Sequence, residues 1–132
     1  MFWLYFHYYK ILTISPIASL HIFTETQVDI AKRVEKIITS DLRQHHPAWE
    51  LAAQFSVSET SLKNYFRGVF GQNISIYLRE VRMKKAAELL ITTRLSVSEV
   101  AEQVGYVNQS KFAAVFKNSL TFLLWNTVGL IN

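Results

Sequence analysis

Apolar residues return along this chain at three- and four-residue steps, and two passages do so in the same way. The first signal is single. Val28, Ala31, Val34 and Ile37/Ile38 share one face while Lys32, Arg33, Glu35 and Lys36 fall mostly elsewhere, which predicts a helix from about Thr26 to Leu42. His45-His46-Pro47 then ends that helix and opens the next. In P-A-W-E-L-A-A-Q-F the apolar set is Ala48, Leu51, Ala52 and Phe55; in S-V-S-E-V-A-E-Q-V it is Val97, Val100, Ala101 and Val104, with the same relative spacing. Each short helix is followed by a turn, Ser56-Val57-Ser58 in one case and Gly105-Tyr106-Val107-Asn108 in the other, closed by an N-cap residue, Ser58 or Asn108. A second helix follows each turn, with core faces Leu62, Tyr65, Phe66, Val69, Phe70 and Phe112, Val115, Phe116, Leu120. Helix, tight turn, helix, twice over, is the pattern of two helix-turn-helix units.

The connection between the copies carries two apolar faces. Ile74, Tyr77, Leu78 and Val81 share one side of a helix; Met83, Ala86, Ala87 and Leu90 share another, roughly opposite at about 100° per residue. A long helix from about Ile74 to Ile91 is therefore expected to serve one core with its first half and the other with its second, with Gly71-Gln72-Asn73 closing the preceding helix and starting this one. The fold class expected is all-α, with two helix-turn-helix subdomains, homeodomain-like, joined by a long central helix.

Composition narrows what such a fold does. The 132 residues allow one ordinary domain or two very small ones, and the net charge of +4 favours an anionic partner. No cysteine is present, which removes thiolate chemistry, disulfides and Cys-ligated zinc. Adjacent His45 and His46 cannot both face one metal from a helix, so a solvated connector is the reading there. No nucleophile–base pair, phosphate loop or metal cluster is visible in the sequence, so neither catalysis nor a cofactor is expected. Charges recur every few residues between Glu25 and Lys117 but almost vanish outside that range. The apolar start, M-F-W-L-Y-F-H-Y-Y-K-I-L-T-I-S-P, lacks a basic leader segment and is broken by Lys10, Pro16 and His21 before about 20 clean residues accumulate. A strand remnant of a larger domain, a membrane-associated segment and an unstructured tail all remain open for it.

The stretch L-A-A-Q-F-S-V-S-E-T-S-L-K-N-Y-F-R-G-V-F-G-Q-N-I-S-I-Y-L-R-E-V-R-M-K-K-A-A-E-L-L, continued through L-S-V-S-E-V-A-E-Q-V-G-Y-V-N-Q-S-K-F-A-A-V-F-K, resembles the DNA-binding domain of the AraC/XylS family of bacterial transcription regulators. The resemblance implies that both units enter successive major-groove segments on one face of DNA, roughly 34 Å apart. By position, it implies that the first recognition helix presents Thr60, Lys63 and Asn64 to base edges, with Ser61 and Arg67 close to the groove or backbone. Phosphate contact or simple solvation is the competing role for Lys63 and Arg67. In the second unit the matching positions are Gln109, Ser110, Lys111 and Ala114, with less hydrogen-bonding reach because Ala114 offers only a methyl group. Ser58 and Asn108 are expected to cap, with neighbouring backbone N–H groups available to phosphate, and Lys117 to add charge.

The organisation expected is an apolar stretch over 1–25, a leading helix and connector over 26–46, the DNA-binding domain over 47–119 and an atypical tail over 120–132. The family's second unit normally continues with F-G-x-S/T-P-x-x-Y-R, whose proline starts a final short helix; Leu120 to Val128 contain neither that Pro nor a Tyr-Arg pair. A slipped reading frame accounts for this. One permitted codon choice for Ser119 to Val128, read from the third base of its first codon, spells F-D-F-S-P-L-E-Y-R, in which only the Glu is independent of the choice. Met1 is read as an internal start, and the effector-sensing domain usual in the family is expected to be missing. The partners expected are double-stranded DNA, with RNA polymerase a further candidate, no small-molecule effector site, no membrane, and a cytoplasmic location. The competing reading is a small membrane-associated or protein-interaction helical protein, or a regulator fragment without function.

Overall fold

The computed structural model describes residues 23–131, with side chains described through Leu120. The apolar stretch up to residue 22 lies outside the described residues, so the readings offered for it stay expectations. Six α-helices and no strand occur among the described residues: α1 (Glu25–Ser40), α2 (Ala48–Gln54), α3 (Glu59–Phe70), α4 (Ile74–Thr92), α5 (Val97–Gln103) and α6 (Gln109–Ile131). They form two compact units, residues 23–40 with 46–77, and residues 41–45 with 78–131.

Local chemistry sets the helix ends. α1 begins one residue earlier than the spacing predicts, because Thr24 Oγ1 accepts from the Gln27 N–H (3.2 Å) while Gln27 Oε1 accepts from the Thr24 N–H (3.0 Å). This reciprocal pair satisfies two donors that the first helical turn leaves free. The same helix stops at Ser40 and not near Leu42, because the Asp41 carboxylate accepts from the Arg43 N–H (3.0 Å) and turns the chain. A second capping box starts α5, where Ser96 Oγ accepts from the Glu99 N–H and the Glu99 carboxylate from the Ser96 N–H. Between α3 and α4, Gly71 adopts the left-handed conformation (φ 74°) and returns its N–H to the Arg67 carbonyl (2.8 Å). Two residues on, Asn73 Oδ1 accepts from the Ile76 N–H (2.9 Å) and opens α4. The Gly-Gln-Asn stretch thus acts as the sequence expects.

The first unit is closed by α1. Ala31, Val34 and Ile38 are buried from α1, Leu51 and Ala52 from α2, Leu62, Phe66 and Val69 from α3, and Tyr77 from the start of α4. Each fully buried side chain of Leu or Phe size contributes about 1.5–3 kcal/mol of burial free energy. The Phe66 ring lies 4.6 Å from Phe70 and edge-on to Tyr77 at 5.3 Å. Tyr77 is buried in this cluster, and its hydroxyl donates to the Glu35 carboxylate at 2.8 Å, which keeps its polar end satisfied. Gln27 of α1 donates to the Tyr65 hydroxyl (3.3 Å), a further tie between α1 and α3.

The second unit is centred on Met83 and Ala86 of α4, Val100 and Ala101 of α5, Val104 after it, and Phe112 of α6. Leu89, Leu90, Leu95, Tyr106, Val115 and Phe116 pack partly buried against that centre. α4 contributes to both cores, with Tyr77 buried in the first and Met83 and Ala86 in the second, and the boundary between the two units falls after Tyr77.

The tail is helical. The chain does not break after Phe116 and Lys117; α6 continues as one helix of 23 residues to Ile131. The physical reason is the absence of a stop. No proline follows Phe116, and the first glycine is Gly129, so nothing removes a backbone donor or favours a left-handed turn.

Candidate nucleic-acid interface

The two turns are built on one hydrogen-bond plan. In the first, the Ser56 N–H donates to the Ala53 carbonyl (3.2 Å) and the Val57 N–H to the Ala52 carbonyl (3.1 Å). In the second, the Gly105 N–H donates to Glu102 (3.0 Å) and the Tyr106 N–H to Ala101 (2.8 Å). Ser56 therefore matches Gly105, both with positive φ (54° and 89°), and Val57 matches Tyr106. Val107 has no counterpart. It is one extra residue placed between the matched turn and the cap of the following helix.

The caps are satisfied in both units. Ser58 Oγ accepts from the Ser61 N–H (3.1 Å), and its hydroxyl donates to the Ser61 hydroxyl oxygen (2.9 Å). Asn108 Oδ1 accepts from the Lys111 N–H (2.9 Å). Each acceptor oxygen is thereby engaged within the protein, and the Asn108 amide N–H groups face no such demand from the cap.

With Leu62, Phe66 and Val69 buried, the opposite face of α3 is open: Thr60, Lys63, Asn64 and Arg67 are all exposed. Ser61 is half-buried and engaged with the cap. The Lys63 ammonium stands 3.8 Å from the Glu59 carboxylate on the same helix. A pair this exposed is worth at most a few tenths of a kcal/mol, about 0.3–0.5, so the ammonium is readily released to another anion. On α6, Phe112 is buried while Gln109, Ser110, Lys111, Ala114 and Lys117 are exposed, as is Asn108 ahead of them. Within each unit the predicted residues therefore lie together on the open side of the second helix, with the cap residue at its start.

Two residues outside the predicted set shape the second unit. Arg82 of α4 is half-buried, donates from Nη2 to the Leu42 carbonyl (3.1 Å) and lies with its guanidinium 5.9 Å from the Tyr106 ring centroid. Burial pulls its pKa below the ordinary arginine value, and burial likewise pushes the Tyr106 phenol above its ordinary value, with nearby Arg82 and Arg79 opposing that rise. Gly105 completes the joint: a Cβ there would collide with the Leu42 carbonyl oxygen and meet the Arg82 guanidinium. The second residue is Val107, fully exposed at the tip of the turn. The one sequence signal for it was the extra position in the second turn; for Arg82, forty residues from Leu42, no local spacing marks the contact.

No group of three or more His, Cys, Asp or Glu residues arranged for a metal ion occurs among the described residues, and no described helix is long and apolar enough to cross a membrane.

Comparison with known proteins defines the class. Residues 51–121 match the family model described as "Helix-turn-helix domain". The chain is 28% identical over 103 residues to the Msm operon regulatory protein of Streptococcus mutans, which covers 78% of this chain and 37% of that protein. Among solved structures it is similar to the C-terminal domain of AraT, a response regulator from Geobacillus stearothermophilus, with 32% identity, a TM-score of 0.65, and coverage of 70% of this chain and 77% of that one. It is also similar to the DNA-binding domain of AdpA, solved in complex with a target DNA, with 25% identity, a TM-score of 0.62, and coverage of 67% and 79%. The fold is a double helix-turn-helix. The chain belongs to the AraC/XylS-type helix-turn-helix domain family. It spans about a third of the length of the curated relatives it matches, between 26% and 37% for the first three.

Proposed function

We propose that this protein is a sequence-specific, double-stranded-DNA-binding transcription regulator of the AraC/XylS type. The observation that carries the proposal is the repeated unit: two turns on one hydrogen-bond plan, each followed by a capped helix whose outer face is polar, basic and exposed. Helix-turn-helix proteins place the second helix in the major groove with its N-terminal residues on base edges. In the first unit this assigns Thr60, Lys63 and Asn64 to bases and Arg67 to base or phosphate, with Ser58 and Ser61 at the helix start. In the second it assigns Gln109, Ser110, Lys111 and Ala114 to the groove, Asn108 to the helix start and Lys117 to phosphate.

The proposal takes residues 47–119 as the DNA-binding domain, 26–46 as a leading helix and connector, 1–25 as a separate apolar stretch, and 120–132 as a tail from a slipped frame. Sequencing the encoding DNA tests the last point: an alternate frame that cannot spell S/T-P-x-x-Y-R removes it. The protein acts by binding without a catalytic step, in the cytoplasm where bacterial DNA lies.

Selection from a random duplex pool by the full chain tests the function. The expected result is an enriched sequence whose binding constant falls linearly with salt on logarithmic axes. A pool that emerges without enrichment, or binding indifferent to salt, overturns the proposal.

A further inference from the structure

We propose that Val107 is a specificity-determining residue of the second unit, and that its contact is the C5-methyl group of a thymine. This rests on the DNA-binding reading above. Val107 has three properties together. It is the extra residue of the second turn, without a partner position in the first. It is fully exposed, more so than Ile91 or Trp49, the next largest exposures among the large apolar side chains of the described residues. It also sits one residue before the cap of α6, at the end of the helix that enters the groove.

The exposure is enforced by its neighbours. On one side Tyr106 is held by its N–H bond to the Ala101 carbonyl (2.8 Å) and by its ring against Phe112 at 5.6 Å. On the other, Asn108 is held by its side-chain bond to the Lys111 N–H (2.9 Å) and by its carbonyl, which accepts from the Phe112 N–H (3.0 Å). Val107 cannot fold back onto the core without breaking one of these. Its β-branched side chain has little χ1 freedom, so an apolar surface is presented in nearly fixed form. A hydrocarbon at this position finds one alkyl group in the major groove, the thymine methyl, the other edge groups being hydrogen-bond donors, acceptors or bare ring C–H. Isolated exposed apolar residues are ordinary on protein surfaces, and Trp49 and Ile91 need no partner; what sets Val107 apart is a rigid placement at the reading end.

The test replaces each thymine of the selected duplex in turn with deoxyuridine, which deletes the methyl group and nothing else. Wild-type chain is expected to lose about four-fold in affinity at one thymine, the weight of one buried methyl. Val107→Ser is expected to bind the thymine and uracil forms of that position equally, with unchanged helix content and salt dependence. Indifference of the wild type to every replacement, or a penalty that persists in Val107→Ser, overturns the proposal while leaving DNA binding intact. A chain that selects no duplex overturns both readings.

Discussion

The first turn holds Ser56 and Val57 between helix and cap; the second holds Gly105, Tyr106 and Val107. Their shared backbone bonds show that the scaffold repeats, and the differences fall where the scaffold meets something else. Outward, α3 carries Lys63, Asn64 and Arg67, while α6 carries shorter or apolar groups such as Ser110 and Ala114. Inward, the first unit is closed by a whole helix, α1, whereas in the second the connector Asp41–His45 meets the Arg82 guanidinium and the Gly105 backbone at the Leu42 carbonyl. Among the described residues, one unit thus pairs a core closed by α1 with an outer face rich in long polar side chains, and the other pairs a turn held at Leu42 with an outer face of shorter groups.

Substitutions sharpen this contrast. The largest effect is expected for Phe66→Ala, which removes a fully buried ring packed on Phe70 and Tyr77 and should cost about 3–5 kcal/mol. Hydrogen exchange should show α1, α2 and α3 losing protection; loss confined to α5 and α6 would reverse the assignment of cores. Arg82→Ala should cost about 1–3 kcal/mol through the unpaired Leu42 carbonyl and the uncovered Tyr106 ring, with the same measurement placing the loss in α5 and the start of α6. Arg82→Lys should rescue little, because an ammonium does not stack as a planar guanidinium does.

On the outer faces, Lys63→Ala and Arg67→Ala should each weaken duplex binding by about 1–3 kcal/mol if the residue reads a base; a phosphate contact would instead lower the salt slope by about 1. Lys111→Ala is expected to do less, and an equal or larger effect would make the second unit the main reader. Ser58→Ala should remove about 1 kcal/mol of stability, seen as a lower thermal midpoint. The smallest effect concerns pH. Since the folded Tyr106 phenol titrates above its ordinary value of 10.0, the stability it contributes is complete below that value and is lost as pH rises through the folded pKa. An alkaline unfolding titration should therefore flatten in Tyr106→Phe.

The repeated helix pair was legible because its signals are short-range: three- and four-residue spacing, Ser58 and Asn108 before apolar runs, and Gly71 between two helices. The resemblance pointed to Thr60, Lys63, Asn64 and Arg67, and the periodicity agreed, since Leu62, Phe66 and Val69 occupy the opposite side. Arg82 was illegible because its value comes from Leu42 and Tyr106, tens of residues away on either side. The sequence assigned no secondary structure to the tail: the absent family ending marked it only as atypical, while α6 runs on through Ser119 to Val128, where neither proline nor glycine interrupts the helix.

Gly71 and Gly105 share a left-handed backbone, yet sequence drift will treat them differently. Around Gly71 there is open space, so asparagine, which tolerates that conformation, can replace it over generations of neutral change. At Gly105 the Leu42 carbonyl fills the room that any side chain would need, so every single-nucleotide path away from glycine leads into a collision. Among descendants of this sequence the first joint will wander, and the second will stay glycine for as long as the second unit folds.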